Sequence, residues 1–197
     1  SDRVEMLASW QGLRLGQRTP SGGDAVFVVD ELDDAGMAIA SATYHRGDLF
    51  AAIEDYNARW MATLAPETGR AARVVLEIGH AMGNRDTDTL HSLLDEEFVF
   101  VDHRGIGYPE LSRSGLIEAT VANADTLSRR LLTTPHEANA SGSVDTGGFW
   151  AQNFGEWHTF EIGIWVSLVQ AGKATRVEMF PDDRLEGALE RFGQLHR

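Results

Sequence analysis

The sequence predicts an α+β fold, with a curved antiparallel sheet packed on helices and preceded by a partial copy of the same unit. Three observations predict it. Between residues 66 and 197 the helical patterns come first and a long series of strand patterns follows, the segregation expected of α+β and not the alternation of a βαβ nucleotide-binding sheet. The chain also repeats itself: Gly36 to Tyr56 lies without a gap on Gly172 to Phe192, 136 residues later, sharing Gly36/Gly172, Ala38/Ala174, Leu49/Leu185, Ala52/Ala188 and Glu54/Glu190. Finally, the helix closing each copy carries one buried face at the same offsets, Leu49, Ala52, Ile53, Tyr56 and Leu185, Ala188, Leu189, Phe192, the i, i+3, i+4, i+7 spacing.

Taken in order, residues 3–10 and 11–18 alternate as two strands, and Thr19 to Asp24 is a turn cluster. Val26 to Val29 is a strand, Glu31 to Gly36 a hairpin turn and the residues after it a second strand. Asp48 is placed to cap a helix running to about Thr63. Residues 3–10 and 11–18 alternate only loosely, and the partial copy is assigned three strands and a helix. Pro66 opens the next helix, where its missing N–H has no partner to lose, and Ala71, Val74, Val75, Ile78 and Met82 form its buried face as far as Gly83-Asn84. Asp86 or Asp88 caps a shorter helix bearing Leu90, Leu93 and Leu94, and Phe98 to Arg104 is a strand. Ser112 or Ser114 opens a third helix through about Arg130, with Leu116, Thr120, Ala124 and Leu127 on one side. Strands follow at Ala140–Val144, Gly148–Asn153, Trp157–Gln170 and Ala174–Phe180, then a helix that Asp182-Asp183 is placed to cap.

The first copy has only 35 residues before Gly36, against 171 before Gly172. Residues 1–63 therefore read as the C-terminal half of one module and residues 64–197 as a complete second one, so the chain looks cut from a larger protein.

Composition limits the function. At 197 residues and 43% hydrophobic content the chain can bury one or two cores. A formal charge of −13 repels phosphate backbones and anionic lipid, so neither nucleic acid nor membrane is an expected partner. The absence of cysteine removes disulfides, thiolate nucleophiles and cysteine zinc sites. No apolar stretch is long enough to span a bilayer and the first residues lack signal-peptide shape, so a cytoplasmic location is expected.

Leu93 to Gly107, which contains Phe98-Val99-Phe100-Val101-Asp102-His103-Arg104, together with Phe180-Pro181-Asp182-Asp183-Arg184-Leu185, resembles the nuclear-transport-factor-2-like or SnoaL-like superfamily. The closer resemblance is to tandem modules at the C-terminal ends of large bacterial adenylate-cyclase-like ATPases and transcriptional regulators. It covers one module over residues 66–197 and half of another over 1–63. It implies a cone, a bent sheet wrapped around helices with a pocket inside. It implies no single chemistry, because the scaffold carries isomerases, cyclases, epoxide hydrolases and non-catalytic binding modules.

Asp102-His103-Arg104 is the sharpest polar cluster. Strand alternation sends Asp102 and Arg104 to one face and His103 to the other. Asp102 or His103 is the candidate general acid or base; the competing reading is a structural ion pair with one satisfied histidine. Trp150, Trp157 and Trp165, with Phe154 and Phe160, suit the wall of an apolar ligand pocket, and equally a core or a dimer surface. His158 and Glu178 lie on neighbouring predicted strands, where they would face each other. Arg104, Tyr108, Trp150, Trp157, His158, Trp165 and Glu178 are thus the expected ligand contacts. A metal site from Asp102, His158 and Glu178 lacks any spaced motif and is not expected, nor is a cofactor. No phosphate loop or Gly-x-Ser-x-Gly nucleophile elbow occurs.

Two functions from different classes remain. One is a non-catalytic module of a larger signalling protein, binding a small apolar ligand or a neighbouring domain. The other is a small isomerase, cyclase or hydrolase working by acid/base catalysis on an apolar polycyclic or terpenoid substrate. In the first reading the partial copy packs against the complete module or pairs with a second chain, since Val26, Val28, Ile53, Tyr56 and Trp60 need cover, and homodimerisation is expected.

Overall fold

The structure is a computed structural model that describes residues 3–10, 13–19, 26–105, 107–122, 129–153 and 156–196, with side chains described at 13–18, 26–45, 47–105, 107–122, 134–148 and 162–196. The chain forms two compact units, residues 1–64 and 65–197.

In the first unit, β1 (Arg3–Trp10), β2 (Leu13–Thr19), β3 (Val26–Leu32) and β4 (Ala38–His45) make an antiparallel sheet in that order, four strands where the sequence count is three. A 3-10 turn, Arg46–Asp48, leads into α1 (Leu49–Thr63). Asp48 makes no side-chain cap bond, because that turn already carries the chain into the helix. Helix α1 buries Ala52, Ile53, Tyr56 and Trp60. Its Arg59 bonds Glu31 as well as Asp55, which sets the helix over the sheet face holding Phe27, Val29 and Glu31. The opposite face carries a cross-strand row, Arg14–Asp30–Ser41, in which buried Asp30 accepts from Arg14 Nε at 3.0 Å and from the Ser41 hydroxyl. Strand β4 ends the sheet, and Met37 and Ile39 beside its start are 67% and 68% exposed.

The second unit begins with α2 (Pro66–Asn84) and α3 (Thr87–Leu93), the latter capped by Asp86, whose carboxylate accepts from Thr89 N–H at 3.0 Å. Then come β5 (Leu94–Asp102), the two-residue β6 (Leu111–Ser112) and α4 (Arg113–Ala122), followed by β7 (Arg129–Asn139), β8 (Gly142–Asn153), β9 (Glu156–Gln170), β10 (Lys173–Phe180) and α5 (Leu185–Leu195). The six strands form one sheet in the order β6-β5-β10-β9-β8-β7.

Several expectations shift. The pair β5–β10 runs parallel, which makes the sheet mixed; a long crossover separates the two strands in sequence, and such a connection permits either direction. The helix expected to reach Arg130 ends at Ala122, and Arg129 already belongs to β7, while Ala124 and Leu127 lie outside the described residues. Pro135 hid that strand. Strand β7 is the sheet edge and its register shifts between Pro135 and Glu137, a place where a residue without an N–H costs no ladder bond. The two short strands expected from Ala140 to Asn153 are one, β8. The side chains of Asp182 and Asp183 do not cap α5, whose N-cap is Arg184.

Both faces of this sheet are covered. On one, Phe98, Phe100, Trp165, Val177 and Met179 pack with Val74, Ile78 and Met82 of α2, Leu90 of α3 and Leu116 of α4. On the other, Val144, Ile164 and Val166 pack under Ala188 and Phe192 of α5.

The two units share a plan: β1-β2-β3-β4-α1 repeats the order and directions of β7-β8-β9-β10-α5. Gly36 and Gly172 turn the matching hairpins with φ of 76° and 79°, a region open to glycine. Leu49 and Leu185 each begin the helix, and Ala52/Ala188 and Tyr56/Phe192 are fully buried in both. Among the described residues the first unit has no counterpart of α2–α4, β5 and β6.

Candidate functional site

Strand register decides which residues share a face. Asp145 of β8 lies opposite Trp165 of β9, Trp165 opposite Met179 of β10, and Met179 opposite Asp102 of β5. The next row on that face is Ser143, Ser167, Val177 and Phe100. Both rows look toward α2 and α4. Between them lies a narrow cavity of about 20 Å3, room for roughly one water-sized group. Helix α2 lines it with Val75, Ile78 and Met82, α4 with Leu116, and the sheet with Trp165, Val177, Ser167 and Asp145.

Asp145 is the chemically distinctive group. Its residue is 1% exposed, and its Oδ2 accepts from the Ser143 hydroxyl at 2.6 Å. Burial pushes its carboxyl up to about 7, and the Ser143 bond pulls it only part of the way back. A carboxyl balanced near neutrality in an apolar wall can either give or take a proton. Gly147, two residues on, makes space beside it: a Cβ there would stand 2.8 Å from the Trp165 ring nitrogen. Trp165 lies 6.1 Å from the Phe100 ring, which meets Tyr108 edge-on at 6.3 Å, so an aromatic line runs from the half-exposed Tyr108 to the cavity.

The residues expected from sequence divide. Trp165 is on the cavity wall, and Tyr108 is connected to it through Phe100. Asp102 shares the face of Asp145 but stands three strands away, about 14 Å at the usual strand spacing. It is also fully engaged, accepting from Arg104 N–H, Nε and Nη2 at 3.0, 2.9 and 2.6 Å and from Tyr108 N–H at 3.0 Å. Burial alone would raise its carboxyl; these donors hold it below the usual range instead. Arg104 is therefore a partner of Asp102 in the turn after β5.

His103 and Glu178 are on the opposite face, under α5. The His103 ring stacks on Phe180 at 4.4 Å, and its Nε2 is 2.7 Å from Glu178 Oε2. Glu178 also accepts from Arg176 and, twice at 3.0 Å, from Arg191 of α5. These bonds overcome its burial and lower its carboxyl to about 2. The residue opposite Glu178 on β9 is Val166, and His158 stands eight positions away along that strand, so the register does not set the two opposite each other. The side chains of Trp150, Trp157 and His158 lie outside the described residues. Among the described residues no acidic or histidine cluster could hold a metal ion, and no helix is long and apolar enough to cross a membrane.

No family model matches the chain, and no curated protein does. Solved structures are similar to it. A LEH-like epoxide hydrolase of M. tuberculosis is 17% identical, with a TM-score of 0.49 over 66% of this chain and 92% of that one. A protein described as a SnoaL-like polyketide cyclase from Jannaschia sp. CCS1 is 10% identical, with a TM-score of 0.48 over 59% and 88%. TerC, co-crystallised with polyporic acid, is 20% identical, with a TM-score of 0.43 over 60% and 96%. The chain is similar to SnoaL-like proteins. That likeness is one of fold. In this arrangement the group that sequence reasoning passed over is Asp145. Its strand alternates Ser143-Val144-Asp145-Thr146, which reads as a polar face turned to water and an apolar one turned inward. Because both faces are covered, the polar face is buried as completely as the apolar one.

Proposed function

We propose that residues 65–197 receive a small, mainly apolar molecule and act on it by cofactor-independent acid/base chemistry, as an isomerase, cyclase or hydrolase, with Asp145 transferring the proton. The carrying observation is a fully buried carboxyl, raised to about 7, on the wall of an apolar cavity. The space beside it admits one oxygen-sized group, such as a carbonyl or epoxide oxygen. There the protonated carboxyl donates a hydrogen bond, and after losing its proton it is a base with little water to quench it. Trp165 and the α2 side chains supply shape and exclude solvent.

The test is turnover of a panel of apolar epoxides and unsaturated ketones, followed by mass spectrometry, with the wild type and Asp145→Asn. Turnover that titrates near pH 7 in the wild type and falls at least about 100-fold in the variant, with ligand still bound, is the expected result. Tight ligand retention without turnover in either protein overturns it.

A second reading has its own support: Asp145 is the single titratable group on the cavity wall among the described residues, whereas acid/base enzymes commonly converge two. In that reading the cone is a regulatory ligand-binding module of a larger cytoplasmic signalling protein, and Asp145 only selects a ligand oxygen. For the first unit we propose a half module whose sheet pairs with a second copy of the chain or a neighbouring domain.

A further inference from the structure

The two guanidinium groups and the imidazole around Glu178 do more than satisfy it. Each carboxylate oxygen accepts two donors: Oε1 from Arg176 Nε and Arg191 Nη2, and Oε2 from Arg191 Nε and His103 Nε2. The carboxylate is therefore saturated, with no acceptor capacity left. The donors are not. Arg176 spends only its Nε here, so both of its terminal nitrogens, together with Arg191 Nη1, have no partner among the described residues. The side chains of Arg176, Arg191 and His103 are 30%, 35% and 37% exposed, so each presents surface to solvent while Glu178 stays wholly inside. One negative charge thus anchors two guanidinium groups and an imidazole, leaving a local surplus of positive charge on a chain whose formal charge is −13. The sheet residues around Glu178, Val101 and Val166, bring no compensating charge.

We propose that this outer face of the second unit, where β5, β10 and α5 meet, is a binding site for a small oxyanion, of the phosphate or carboxylate class. Glu178 acts as a positioning residue: it holds both guanidinium groups by one edge and leaves their other N–H groups to make the paired contacts that carboxylate and phosphate oxygens accept. Stacking on Phe180 fixes the His103 ring as the third wall. The site is on the opposite side of the sheet from Asp145, so it is independent of the function proposed for the cavity.

The experiment is a titration of the whole chain with inorganic phosphate, and separately with acetate, at constant ionic strength, following the His103 ring protons and the Arg176 and Arg191 Nε–H signals by NMR. Saturable shifts with phosphate, acetate or both, against none with chloride, are expected, and the stronger ligand identifies the class. Arg176→Lys retains the charge and removes the fork, and should weaken binding about tenfold, the value of one charge-assisted bond. His103→Gln, which keeps a donor to Glu178, guards against a mere folding defect, and Asp145→Asn should leave the affinity unchanged. Shifts that stay linear to high phosphate, or an Arg176→Lys protein that binds as tightly as the wild type, overturn the proposal.

Discussion

Asp145 and Glu178 are both buried acids, yet they differ in what surrounds them. Glu178 has four donors and is held at about 2; Asp145 has one hydroxyl and is raised to about 7. Stability should record the difference. A carboxyl whose folded pKa is raised favours the fold fully below its unfolded value of 3.8, and the advantage is lost as pH rises through the folded value. Asp145 should therefore cost stability between about pH 4 and 7, by about 4 kcal/mol once fully ionised. Asp145→Asn keeps the hydrogen bond to Ser143 without the charge, so it should be more stable than the wild type at pH 8 and little different at pH 4, measured by urea unfolding. An equal effect at both values would show that the carboxyl is not desolvated. Glu178 works in the opposite sense: its contribution is present above its unfolded value of 4.5 and fades as pH falls toward 2. Sequence alone marked Glu178, Trp165 and the Asp102-His103-Arg104 cluster as places of interest, and the alternation placing Asp102 and His103 on opposite faces was readable. The ion pair of Arg104 with Asp102 was one of the two readings that alternation left open, and the structure forms it; nothing in residue types could show that Arg191, far along the chain, would reach Glu178.

The elements were legible where a period or a cap announced them. Helix α2 begins at Pro66, α3 is capped by Asp86, and α1 and α5 begin at the paired Leu49 and Leu185. Strand β7 was not, since Pro135 is a breaker everywhere except at an edge, and whether a strand is an edge is a fact about its neighbours. The start of β8, where it leaves the turn from β7 and lies against β9, shows how tight the local constraints become. At Gly142 φ is 148°, and an added Cβ would stand 1.8 Å from the Ser167 carbonyl oxygen. Gly142→Ala should cost about 3 kcal/mol, because backbone must move to admit it. Gly187 in α5 has nothing within 4 Å of an added Cβ, and Gly187→Ala should stabilise by about 0.5–1 kcal/mol. Thermal melts of the two variants give this contrast directly; equal effects would mean that the start of β8, after the turn from β7, yields more easily than its geometry implies.

For the whole molecule, the repeat is the most readable property, and it extends from identical residues to matching hairpin glycines and matching helix starts. The direction of β5 against β10 was not readable, because periodicity records which face a side chain takes and not which way its strand runs. That pairing reveals what the first unit is without: β10 has β9 on one side and β5 on the other, whereas its counterpart β4 has only β3. Light scattering after size exclusion should therefore show a concentration-dependent dimer, which Ile39→Lys, placing a charge beside that border, should shift toward monomer. A strict monomer at all concentrations would rule this out.

The margin of β4 is a row of amide hydrogens and carbonyl oxygens with no rung beyond it in its own sheet. An extended peptide needs little sequence in common with this chain to settle there, since the main chain supplies the adhesion and side chains only vet the newcomer. A second chain paired there would fix how the whole polypeptide associates.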